Sequence, residues 1–112
     1  MNKINVLAMV LAATSVPAAA QDLTFMNGNT LYEWCTSTNA AGCLGFVEGV
    51  VDTISMLQST SATPRAICVP KGVTAGQTRD VIVAYLKDKP QMRHYNAASN
   101  AWVALHDVWP CP

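Results

Sequence analysis

CLGFVEGVVDTISML, residues 43–57, carries apolar side chains at Cys43, Phe46, Val47, Val50, Val51, Ile54 and Leu57. Steps of three and four residues place them on one face of a helix, so this stretch must be covered by partners from elsewhere in the chain. Gly45 and Gly49 lie four apart on a neighbouring face. Each costs about 1 kcal/mol relative to Ala inside a helix, which predicts the close approach of a second helix backbone there. Glu48 and Asp52, also four apart, have the spacing of an acid–base pair, but a solvated helix face explains them more simply.

The amino terminus reads as a targeting segment. Lys3 gives a positive start, Ile4 to Val16 is an almost unbroken apolar run, and Ala18, Ala19 and Ala20 supply a small-residue cleavage site. The run is shorter than the roughly 20 apolar residues of a membrane span, and Pro17 follows it. Residues 1–20 are therefore expected to be a signal peptide and residues 21–112 a single domain, with no membrane attachment after cleavage. A domain this small has little core to bury and gains from covalent staples. Cys35, Cys43, Cys68 and Cys111 all lie in the mature part, and export takes them to an oxidising compartment. Two disulfides are expected. A zinc site is disfavoured because no CxxC pair is present and the only histidines are His94 and His106.

Removing Lys3 leaves six basic residues against seven acidic ones, so a phosphate-tracking basic surface, and with it nucleic-acid binding, is not expected. There is no phosphate loop, GxSxG or HExxH. A Cys/His/Asp nucleophilic set would use cysteines better explained as disulfides. Neither catalysis nor a cofactor is expected.

Around the organising stretch, Asn27 to Asn29 offers cap chemistry for a short helix to about Cys35, and Thr36 to Asn39 breaks it. Gln58 to Pro64 is polar and without apolar period, which makes it a loop. Thr74 with Gln77 forms a capping-box pattern ahead of a third helix with Val81, Ile82, Tyr85 and Leu86 inward and Pro90 as its stop. Asn96 is placed to cap a fourth helix whose inward residues are expected to be Ala98, Trp102, Leu105 and Trp109. No stretch alternates like a strand. The expected fold is all-α, a small four-helix domain stapled by two disulfides.

LYEWC at Leu31–Cys35, CLGFVEGVVD at Cys43–Asp52, ICVPKGVTAGQTRDVIVAYL at Ile67–Leu86, Arg93 with His94, and the terminal WPC occur in an order and spacing that resemble the Rap/Tai family of type VI secretion amidase-immunity proteins. The resemblance covers nearly all of the mature chain. It implies a periplasmic protein that binds a peptidoglycan amidase toxin and blocks its catalytic cleft sterically, doing no chemistry itself. It also implies a homodimer. A second, more distant resemblance links Cys68 to Leu86 with the Hde acid-stress chaperones, also small, exported and helical. A charged fraction of 12% suits such a chaperone poorly, since acid unmasking works through many ionisable groups.

If Gln58 to Ala66 runs back along the organising helix, Cys43 pairs with Cys68 and Cys35 with Cys111; a tight up-and-down bundle favours Cys35 with Cys43 and Cys68 with Cys111. The first arrangement is the one expected, because nine extended residues reach roughly 30 Å. For a cleft blocker, the segment between the third and fourth helices supplies the anchors: Lys89, Gln91, Arg93, His94 and Tyr95 are the candidate partner-binding residues. The Gln58 to Arg65 loop is mostly Ser, Thr and Ala. Trp34, Trp102 and Trp109 are expected in the core before an interface, and Met26, Met56 and Met92 as gap-fillers. His94 has two readings, a pH-responsive group or a fixer of the turn.

Overall fold

The computed structural model describes residues 13–15, 24–37 and 39–112. The expected signal peptide, residues 1–20, lies almost wholly outside the described residues. Helix α1 spans Gly28–Thr36, and the Asn27 side chain accepts a hydrogen bond from the Thr30 amide at its start. Helix α2 spans Ala40–Ser59, capped by the Asn39 side chain on the Gly42 amide. Helix α3, Ala75–Asp88, has the full reciprocal capping box between Thr74 and Gln77. A single 3-10 turn, Pro90–Met92, leads to α4, Ala97–Val108, whose cap is Asn96. Each start thus coincides with a polar side chain that satisfies an otherwise orphaned amide. Among the described residues there is no strand, only two isolated bridges, Asn27 to Asn96 and Ile67 to Pro110.

The core is assembled from one face of every helix: Leu31 of α1, Cys43, Val47 and Ile54 of α2, Ile82 and Leu86 of α3, and Ala97, Ala101, Ala104 and Leu105 of α4. Helix α2 is long and apolar enough to cross a membrane by length and composition alone. Only Cys43, Val47 and Ile54 of it are buried, joining the core residues of α1, α3 and α4. On α4 Leu105 is buried as expected, but the rest of the buried face is rotated from the expected one. Ala98 is exposed and Trp102 only half-buried, while three alanines and Asn100 face inward. Small side chains let the helix axis approach its neighbours closely, and the tryptophan then fits only at the edge of the contact. Trp34 and Trp109 are likewise half-buried against the core, whereas Met56, 53% exposed, fills no gap.

The disulfides join Cys35 to Cys43 and Cys68 to Cys111, which corrects the expected pairing. The loop after α2 does not take the expected course. Gln58 clamps it: its Oε1 accepts from the amides of Ala66 and Ile67, and its Nε2 donates to the Ile67 carbonyl, each at 2.9 Å. The chain therefore turns back at the carboxyl end of α2 rather than running along it. Cys43 sits fifteen residues before Gln58, about 22 Å away along the helix axis, beyond reach of Cys68. Cys68 instead lies beside the end of α4, where its amide donates to the Trp109 carbonyl and the Cys111 amide donates to the Ala66 carbonyl. Cys35 and Cys43 occupy the last turn of α1 and the first turn of α2, with Cα atoms 5.1 Å apart.

The glycine pair of α2 also departs from expectation. A Cβ at Gly45 or Gly49 would meet nothing within 4 Å, so no helix backbone approaches there. The pair borders an open apolar groove of about 510 Å³ between α2 and α4, walled by Phe46, Val50, Leu57 and Trp102. A different glycine, Gly72 at φ +90°, is required by backbone geometry in the turn that returns the chain toward α3.

Candidate functional site

The connection between α3 and α4 contains all five residues expected to bind a partner. Pro90 ends the helical hydrogen bonding of α3, because it lacks an amide donor, and the 3-10 turn redirects the chain. Lys89 and Gln91 are exposed, with the Lys89 ammonium 3.5 Å from the Asp88 carboxylate. An ion pair this open to water contributes little to stability.

Arg93 has a structural position. Its Nε donates to the Leu86 carbonyl at 2.6 Å, satisfying one of the free carbonyls at the end of α3, and its guanidinium lies 3.8 Å above the Tyr32 ring of α1. The side chain is half-buried and ties three elements together. His94 and Tyr95 are different. Both are exposed, Tyr95 at 52%, and their rings lie 3.9 Å apart between centroids. They form a small aromatic projection on the outside of the connection.

Beside that projection is a cleft of about 490 Å³ lined by Thr24, Tyr85, Met92, Ser99 and Val103 as well as His94 and Tyr95. Thr24 is held there by the Asn96 side chain, which donates to its hydroxyl at 3.2 Å. Phe25, next in the chain, is 98% exposed. The surface thus combines aromatic and aliphatic groups with hydroxyls and amides, a composition suited to recognising a protein.

Two residues of this region were not singled out in the sequence. Asn100, 3% exposed, donates through Nδ2 to the carbonyls of Met92, Tyr95 and Asn96. Gly28 donates its amide to the Tyr95 carbonyl and packs against the Arg93 backbone. The signal for Asn100 was a polar residue in register with Ala97, Ala101 and Ala104. For Gly28 the sequence holds no sign beyond its place after a helix cap.

The other surfaces are less suited to a specific site. The Gln58 to Arg65 loop offers Arg65 at the rim of a cavity of about 500 Å³ that reaches Ile54 and Leu105, but no exposed aromatic. Glu48 and Asp52 are both exposed on α2, without the enclosure that acid–base catalysis uses. Among the described residues no group of three or more metal-ligating side chains converges.

No curated protein and no solved structure shows significant similarity to this chain. Residues 27–111, from the cap of α1 to the last cysteine, match the family model of the Rap1a immunity proteins. The match encloses all four helices, both disulfides and the His94–Tyr95 projection: the chain belongs to the Rap1a immunity proteins, and its role is to bind a toxin partner.

Proposed function

We propose that this protein is a periplasmic immunity protein that binds a peptidoglycan amidase effector of type VI secretion and blocks its catalytic cleft. The observation that carries the reading is the family match over residues 27–111, and it favours immunity over an acid-stress chaperone. Two disulfides are consistent with an exported protein, and residues 1–20 have the charge, apolar run and small-residue end of a signal peptide. The mature domain is then residues 21–112.

In this reading the amidase is inhibited without chemistry on either side. The His94–Tyr95 projection enters or covers the cleft, Lys89 and Gln91 contribute at the polar rim, and Arg93 holds the segment from behind. A second copy of the chain is a further proposed partner, and the open apolar face of α2 around Gly45, Gly49 and Phe46 is the surface available for it.

The test is protection of a cell from its own toxin. A peptidoglycan amidase effector of type VI secretion from the same organism is directed to the periplasm together with either the full chain or a version starting at Gln21. Survival with the full chain and lysis with the shortened one are expected. Lysis in both cases, with the full chain present in the periplasm, overturns the amidase assignment; equal survival overturns the export requirement.

A further inference from the structure

The docking segment is an irregular piece of backbone in which the Met92, Arg93 and Tyr95 carbonyls are already occupied. Met92 accepts from the Tyr95 amide and from Asn100 Nδ2, both at 3.1 Å. Arg93 accepts from the Asn29 amide and Tyr95 from the Gly28 amide, each at 3.0 Å, and Asn100 Nδ2 reaches Tyr95 and Asn96 as well. Irregular connections are ordinarily the mobile parts of a fold. This one is pinned from two sides, by the amino end of α1 and by a single buried amide on α4.

The geometry on the α1 side leaves no slack. A Cβ at Gly28 would stand 2.9 Å from both the Cα and the carbonyl oxygen of Arg93, so any larger residue displaces the segment. On the α4 side it is the donor end of the carboxamide that fits, since Asn100 Oδ1 is buried without a hydrogen-bond partner. Its NH₂ group donates to a cluster of carbonyls, whereas a carboxylate there would face three acceptor oxygens. Asn100 also occupies a core position where an apolar residue would add to packing, and its amide contacts are directed at this one segment.

We propose that Asn100 and Gly28 are positioning residues that hold the His94–Tyr95 projection in its binding conformation before the toxin arrives. The inference rests on the docking reading above. Ordering a loop during association lowers affinity, and a segment ordered in advance avoids that cost. Both residues act through the backbone of 92–96: Asn100 reaches the wall of the cleft but is only 3% exposed, and its contacts are to that backbone.

The experiment titrates a peptidoglycan amidase effector, one that the wild-type chain inhibits, with the wild-type chain, Asn100→Ser, Asn100→Asp, Gly28→Ala and Tyr95→Ala, and measures amide relaxation of residues 93–96 in each free protein. Folding is verified by the helical circular dichroism signal, with Asn100→Ser as the mild variant. Folded Asn100→Ser and Gly28→Ala are expected to show increased mobility at 93–96. Their dissociation constants are expected to rise about tenfold, with the loss mainly in the entropy of binding. A purely structural role would leave the affinity of the folded fraction unchanged. If Tyr95→Ala weakens binding while mobile Asn100→Ser and Gly28→Ala bind like wild type, the positioning role is overturned and the docking surface stands. It is also overturned if residues 93–96 stay rigid in both variants. If Tyr95→Ala binds like wild type, the docking surface and the positioning role fall together.

Discussion

Removing the two disulfides one at a time should cost different amounts, and the difference follows from where the structure places them. Cys35 and Cys43 are separated by 8 residues and Cys68 and Cys111 by 43. Loop-closure entropy for these lengths gives about 2.5 kcal/mol for the short loop and about 4.0 kcal/mol for the long one. The paired substitutions Cys35→Ala with Cys43→Ala and Cys68→Ala with Cys111→Ala avoid stray thiols. For a domain of this size each kcal/mol moves the melting temperature by roughly 4–8 °C. The long-loop variant should therefore melt about 6–12 °C below the short-loop one. The assay is thermal unfolding by circular dichroism, preceded by peptide mapping of the unreduced wild type. A short-loop variant that melts as low as the long-loop one would refute the loop-entropy argument. Recovery of a Cys43–Cys68 peptide would refute the course of the chain after α2.

Gln58→Ala removes three hydrogen bonds to Ala66 and Ile67 and leaves their backbone groups without that partner. A loss of about 2–3 kcal/mol is expected in denaturant unfolding, and a change below about 0.5 kcal/mol would mean the loop is held by the disulfide alone. Gly49→Ala places a methyl group in open space and should stabilise the isolated chain by about 1 kcal/mol through helix propensity. If stability falls instead, that face of α2 is covered in solution, and sedimentation at several concentrations then identifies a second copy. Thr74→Ala deletes one half of a complete capping box and should cost about 1 kcal/mol. Substitution of Gln77 in the same background tests whether the two halves are coupled.

Local rules read well from this sequence because the determinants are local. Asn27, Asn39, Thr74 and Asn96 each cap the helix that follows, and Pro90 closes α3 where it should. The pairing of cysteines was not legible in the same way. It depended on whether nine loop residues run out or fold back, and that was settled by one side chain, Gln58, whose contacts lie eight and nine residues away. Helix rotation failed for a related reason. Tryptophan dominates any hydrophobic pattern, yet α4 buries Ala97, Ala101 and Ala104, since close helix approach rewards small residues.

The candidate segment was legible as composition but not as geometry. Arg93, His94 and Tyr95 read alike as recognition residues, whereas the structure turns Arg93 inward onto Leu86 and Tyr32 and leaves the two rings outside. The contacts that sort them come from α1 and α4, distant in sequence. Asn100 carried the strongest missed signal, a lone amide among alanines.

The most direct measurement is amidase activity on peptidoglycan as a function of added mature protein. Activity should fall to background with saturable, stoichiometric inhibition, and His94→Ala with Tyr95→Ala should weaken inhibition at least tenfold while the melting temperature stays within a few degrees. Undiminished hydrolysis in the presence of excess folded wild-type protein would contradict the proposed inhibition.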